Sequence, residues 1–195
     1  MTSMSSAHTR APRVIPLNLN VTEDGDAFRA AMRKVTAGVA VITTHHDDQP
    51  WGMTVSSFTA VSMEPPTLLV CVNRKTATAR DIERDHVFGV NLLSQAQQTV
   101  SQLCANPGEC KFLHDHVVAP DDLPVAMKAP VLSNSLASFD CAVTKMFSVG
   151  THFVVIARVV AVMTSDAIEP LLYGQGKYLH GVAIDELAAL RAARA

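Results

Sequence analysis

The stretch Gly52–Glu83, GMTVSSFTAVSMEPPTLLVCVNRKTATARDIE, decides how the rest of the chain is read. Its first part sets the hydroxyls of Thr54, Ser56 and Ser57 in a run with the composition of a strand. Side chains alternate in a strand, so Thr54, Ser56 and Phe58 are expected on one face and Met53, Val55 and Ser57 on the other. Gly52 is a point where another backbone or a ligand can come close. Pro65-Pro66 interrupts pairing, and TLLVCVN reads as a strand that is apolar on both faces. Thr78 and Asp81 have the spacing of a capping box, which predicts a helix N-terminus at Thr78. Free amides, a positive dipole, Arg74, Lys75 and the Thr76 hydroxyl would together favour an anion such as phosphate. The two halves suit a planar, phosphorylated ligand. They also fit a strand with one solvated face and a capped helix with solvated bases, and the stretch alone does not separate the two.

Outward from there, DAFRAAMRKV has Phe28, Met32 and Val35 at helical spacing, predicting a helix over 26–37 that Gly38 stops. GVAVITTHH, DDQP and WGMTVSSF read as strand, turn and strand, with TAVSM continuing as strand. Downstream come a helix from Ala77 to Asp85, the strand VFGVNLL, and the helix SQAQQTVSQLCA capped by Ser94. ASFDCAVTKMFSVG, THFVVIARVVAVMTS and PLLYGQGKYLHGV supply further strands, and IDELAALRAARA a last short helix for packing or dimerisation. Many short strands and few long helices predict a closed, mostly antiparallel barrel with helices outside. Residues 1–25 lack the apolar core of a signal peptide and read as a flexible arm ahead of one domain over 26–195.

At 195 residues, 48% hydrophobic and 17% charged, the chain can bury a full core and keep apolar surface for a subunit interface. A net charge of −2 leaves no basic footprint, so nucleic acid is not an expected partner. No apolar run approaches the roughly 20 residues of a membrane helix. A cytoplasmic protein with no membrane contact is expected. Cys71 and Cys141 lie in apolar runs and read as buried thiols. Cys104, Cys110, His114 and His116 have a spacing outside common zinc patterns, so an ordinary loop and no metal are expected there. His45, His46 and His86 fall at turns or strand ends, facing solvent.

The segments AGVAVIT, GMTVSSFTAVSMEPPTLLVCVN, TATARDI, FGVNLLSQAQQTVSQLCA, KF and VGTHFVVIARVVAV occur in this order between Phe28 and Tyr178. The pattern resembles the flavin reductase family with the FMN-binding split-barrel fold, the reductase components of two-component flavin-dependent monooxygenases. The resemblance implies a six-stranded antiparallel split β-barrel with flanking helices, a homodimer, and a partner monooxygenase. It implies FMN or FAD as cofactor and NADH or NADPH as hydride donor. It places Thr54, Val55, Ser56 and Ser57 along the flavin ring or ribityl chain. Asn73, Arg74, Lys75 and Thr78 match the segment that holds the ribityl and phosphate groups, and Phe112 an aromatic residue near the flavin. His152 matches a histidine on the nicotinamide side and becomes the catalytic candidate, with Tyr178 a second contact for the donor. The family's usual Gly-Asp-His is here Gly150-Thr151-His152. The alternatives are a flavin-binding protein without turnover and a metal- or haem-binding split barrel using Cys104, Cys110, His114 and His116. No nucleophile or strong general base is implied.

Overall fold

The computed structural model describes residues 24–106, 110–166 and 169–183. The short helix α1, Gly25–Met32, carries its own Asp26–Arg29 ion pair. It stops well before the residue-37 end that the periodicity predicts, because Ala37–Gly38 is taken up as a strand, β1, paired with the chain near Tyr173. Gly38 is therefore a strand residue and not a helix stop.

From Arg33 onward the chain is built on two antiparallel sheets. The larger contains β2 (Ala40–His46), β3 (Gln49–Val55), β4 (Phe58–Met63) and β5 (Pro66–Asn73), then β6 (Val87–Leu92), β7 (Ala137–Val149) and β8 (His152–Thr164). Its spatial order is β3-β2-β6-β7-β8-β5-β4. The two edge strands, β3 and β4, are consecutive in the chain and linked only through Ser56 and Ser57. The sheet must therefore curl until its edges meet at that link, which makes it the expected antiparallel split barrel, with seven strands in the sheet. The smaller sheet pairs β1 with the hairpin of β9 (Leu171–Gly174) and β10 (Lys177–His180).

Local sequence explains most of these boundaries. Asp47 and Asp48 both adopt positive φ between the paired residues His46 and Gln49, the two-residue turn that suits strand twist. Pro66 opens β5 at its edge, where no ladder donor is missed, so the diproline forms a hairpin turn. β5 is buried at alternate positions (Leu68, Val70, Val72), with its other face partly covered, so it is not a strand equally apolar on both faces. The run WGMTVSSF breaks after Val55, and the alternation expected to carry Ser56 and Phe58 along with Thr54 ends there.

Inward-facing residues of β2, β3 and β5–β8, among them Ile42, Val55, Val70, Val90 and Val155, fill the barrel. Helix α2 (Ala77–Asp85) adds Ala79 and Ile82 to that core. On the other side of β2, Val39 and Val41 pack with Val100 and Cys104 of α3 (Gln98–Ala105), so β2 is buried on both faces. The buried Asn91 amide satisfies itself completely. It donates to the Val41 carbonyl (3.3 Å) and Thr43 Oγ1 (3.0 Å), and accepts from Leu132 N (3.0 Å) and Ser138 Oγ (2.7 Å). Among the described residues no helix is long and apolar enough to cross a membrane. The terminal helix expected at IDELAALRAARA, and the arm over 1–25 except Asp24 and Gly25, lie outside the described residues.

Candidate active site

Three separate pieces of chain meet where α2 begins. Asn73, the last residue of β5, is the cross-strand partner of His152, the first of β8. Arg74 N donates to the Thr151 carbonyl (3.1 Å), and the Asn73 side chain accepts from Lys75 N (3.0 Å). Ser57 is tied to the same strand two residues earlier: its amide carbonyl accepts from Cys71 N (2.9 Å), and its hydroxyl donates to the Cys71 carbonyl (3.0 Å). Ser57, Asn73, Arg74, Lys75, Thr78 and His152 therefore belong to one neighbourhood.

Its orientation follows from parity. Val70 and Val72 of β5 and Val155 and Ala157 of β8 point into the barrel, so Asn73 and His152 stand on its outer face. His152 does not turn into the barrel interior, which Phe153 takes instead. The Gly150-Thr151 turn, with Gly150 at φ 55°, brings the Thr151 hydroxyl to 2.8 Å from His152 Nδ1. The hydroxyl that stands where the family has a carboxylate thus contacts the imidazole directly.

The start of α2 differs in detail from the expected capping box. The cap is Thr76, whose hydroxyl accepts from Ala79 N (3.2 Å) and donates to the Asn73 carbonyl (2.8 Å). Thr78 sits in the first turn, only 1% exposed, and its hydroxyl has no hydrogen-bond partner among the described residues. Asp81 does not reach back to the helix start. It is buried and bonds Thr44 Oγ1 (3.1 Å), His46 Nδ1 (3.1 Å) and Arg84 (3.4 Å), pinning α2 to the β2–β3 hairpin. His46 is accordingly bonded and packs at a tilt against Trp51 (ring centroids 5.0 Å apart), not simply solvated. At the far end of α2, the Arg84 guanidinium holds the Asp85 carboxyl below its ordinary range.

The other half of the expected site lines a cleft of about 510 Å³. Thr54, Val55 and Ser56 form one wall, α3 contributes Gln102 and Ala105, and the β9–β10 hairpin contributes Tyr173, Gly176 and Tyr178. Val55 turns its side chain into the barrel core, so it offers only backbone to this space. The Thr54 hydroxyl is already donated to the Ser101 carbonyl (2.7 Å), and Ser101 Oγ lies 2.8 Å from the Tyr178 hydroxyl. Ser101, Tyr173 and Gln102 were not singled out from the sequence, and Thr76 was named there as an anion contact and not as the cap.

Phe112 stands apart from this cleft. It bridges to Trp51 further back on β3, with ring centroids 5.1 Å apart, and stacks on His114. Gly52 does permit a close approach, but by protein: a Cβ there would lie 2.6 Å from Cys104 Sγ, and its amide donates to the Lys111 carbonyl (3.1 Å). Burial pushes the Cys104 thiol up to about 12. Cys110 is exposed, and among the described residues no group of three or more His, Cys, Asp or Glu side chains could hold a metal ion.

Comparison with known proteins gives a consistent picture. Residues 32–181 match the flavin reductase like domain. The chain is 34% identical over 157 residues to the reductase subunit HsaB of a flavin-dependent monooxygenase from Mycobacterium tuberculosis, covering 80% of this chain and 81% of that one. It is 34% identical over 158 residues to FMN reductase (NADH) RutF 1 of Methylorubrum extorquens, covering 81% and 77%. Among solved structures, flavin reductase PheA2 in its native state superposes with a TM-score of 0.70 at 30% identity, over 82% of this chain and 99% of that one. With the fold in agreement and the family model matching the greater part of its length, this chain belongs to the flavin reductase like family.

Proposed function

We propose that this protein is an NAD(P)H:flavin oxidoreductase that supplies reduced flavin to a partner monooxygenase. The observation that carries the reading is the meeting of Asn73–Lys75, Ser57 and Thr151–His152 beside the first turn of α2. The relatives named as a monooxygenase reductase subunit and an NADH-dependent FMN reductase support the same activity and cofactors.

The residues present fit a phosphorylated flavin. The first amides of a helix lack partners within it, Arg74 and Lys75 are exposed cations beside them, and the Thr78 hydroxyl is a buried donor with an unmet bond. Lys75, Arg74 and Thr78 would hold the phosphate, Asn73 the ribityl region, and the backbone of Val55–Ser57 with the exposed Ser56 hydroxyl the ring edge. When bound, the flavin supplies the redox chemistry, accepting a hydride from the reduced nicotinamide at N5. The chain's task is alignment. In the tautomer that accepts the Thr151 hydroxyl proton at Nδ1, His152 carries its own proton on Nε2 and would donate to the carboxamide or phosphate of the donor. Tyr178 and Tyr173 would meet the same donor from the cleft they line with Ser56.

The functional domain in this reading is residues 26–195, acting in the cytoplasm as a homodimer. Exposed Val61, Met63, Val160 and Val162 on β4 and β8 give an apolar strip suited to a second copy. Steady-state oxidation of NADH and of NADPH with free FMN and with free FAD tests the activity. Turnover with at least one pair is expected; flavin binding with no oxidation by either nicotinamide would leave a non-catalytic flavin protein. Light scattering at micromolar concentration should report a dimer, and an active monomer would remove the homodimer from the account.

A further inference from the structure

The two tyrosine-bearing and hydroxyl-bearing walls of the 510 Å³ cleft belong to sheets that share no strand. One buried residue of α3 fastens both. Ser101 has no exposed surface, its carbonyl accepts from Thr54 Oγ1 at 2.7 Å, and its hydroxyl meets the Tyr178 hydroxyl at 2.8 Å. Tyr178 in turn sets its ring edge-on to Tyr173, its register partner on β9, with centroids 5.3 Å apart. A serine inside a helix commonly bonds back to its own backbone, and alanine would serve the helix better. This hydroxyl reaches out of its helix to the hairpin instead.

We propose that Ser101 is a positioning residue for the hydride donor. It holds the Tyr178 ring in a fixed place opposite Thr54–Ser56, so that the cleft beside the flavin ring keeps its shape for the donor. The proposal rests on the flavin-reductase reading. The chemistry of the wall identifies what it receives: Tyr173 and Tyr178 line the cleft with apolar ring surface, while the Tyr173 hydroxyl and the exposed Ser56 provide polar tips. That is a surface for an uncharged heteroaromatic ring with amide substituents, the nicotinamide end of the donor. A flexible Tyr178 would still allow the donor in, but at an entropic cost paid on binding.

The chain has two tyrosines, so 3-fluorotyrosine labelling gives two fluorine resonances, assigned with Tyr173→Phe. In the flavin-free protein, Ser101→Ala should move the Tyr178 resonance and leave the fold unchanged. In turnover the donor KM should rise about fivefold, roughly what one neutral hydrogen bond is worth. The kcat and the flavin Kd should stay within about twofold, the usual limit of independent effects. Tyr178→Phe should reproduce that pattern, and the double variant should be no worse than either single one. An unmoved donor KM in Ser101→Ala, a flavin Kd raised by the same factor, or additive losses in the double variant would overturn the proposal. Absence of NADH and NADPH oxidation in the unmodified protein would sink the flavin-reductase reading itself, and the proposal with it.

Discussion

Replacing Thr78 by valine should stabilise the flavin-free protein while weakening its hold on flavin. Valine keeps the shape of threonine and removes only the hydroxyl. That hydroxyl is 99% withdrawn from solvent at the level of the residue, which is 1% exposed, and it has no partner among the described residues. A buried polar group left unsatisfied costs about 1–3 kcal/mol, and an apolar isostere relieves that cost. Taking the low end, the apo Tm should rise by roughly 2–4 °C for a chain of this size. If the same hydroxyl donates to the flavin phosphate, the variant loses a hydrogen bond to a charged group, about 1.5–3 kcal/mol. Flavin Kd should then rise on the order of 10- to 100-fold. Differential scanning fluorimetry without flavin and titration of FMN and FAD by fluorescence quenching read the two effects separately. An apo Tm that falls, together with an unchanged Kd for both flavins, would refute the assignment of the phosphate to this helix start.

His152→Ala should slow hydride transfer about tenfold, some 1.4 kcal/mol in the barrier, with flavin Kd little changed; stopped-flow traces matching the unmodified protein would leave His152 a structural residue. Gly52→Ala would press its Cβ to within 2.6 Å of Cys104 Sγ and 2.8 Å of Leu113 Cδ1. Such overpacking should cost about 1–3 kcal/mol, and an unaltered urea midpoint would show that α3 gives way freely. Burial raises the thiols of Cys104 and Cys141 from 9.0 to about 12, so folding favours their protonated forms. That contribution is fully present below pH 9 and is lost as the pH climbs towards 12, at about 1.4 kcal/mol per pH unit for each thiol. Denaturant midpoints should therefore fall as pH is raised above 9, and native protein at pH 8 should expose Cys110 to a thiol reagent while Cys104 and Cys141 react only on unfolding.

What could be read in advance was whatever short-range chemistry determines. The Asp47-Asp48 turn, the helix Ala77–Asp85 and the Ser94 cap of the helical stretch at Gln95 lie where local residue preferences put them. The cap of α2 was misread because Thr76 and Thr78 both precede an apolar turn, and only tertiary packing decides between them. Asp81 has the right spacing to serve Thr78, but Thr44 and His46 on the β2–β3 hairpin claim it. The break after Val55 was equally hidden: Ser56 and Ser57 are compatible with a strand, and only the closure of the barrel forces the chain to leave one edge and start the other. Sites assembled from distant strands left the weakest trace. Asn73 and His152 were each named through family resemblance, but nothing signalled that they pair, and the Thr54–Ser101–Tyr178 contact had no local signal at all.

The central claim is that this chain passes reducing equivalents from a nicotinamide to flavin in repeated turnovers. Anaerobic mixing of a trace of protein with excess free FMN or FAD and NADH or NADPH measures it directly, by the loss of the oxidised-flavin absorption band. The account predicts complete bleaching with at least one flavin and one donor, at a rate proportional to protein concentration. Bleaching no faster than in a protein-free control, for all four combinations, would contradict it.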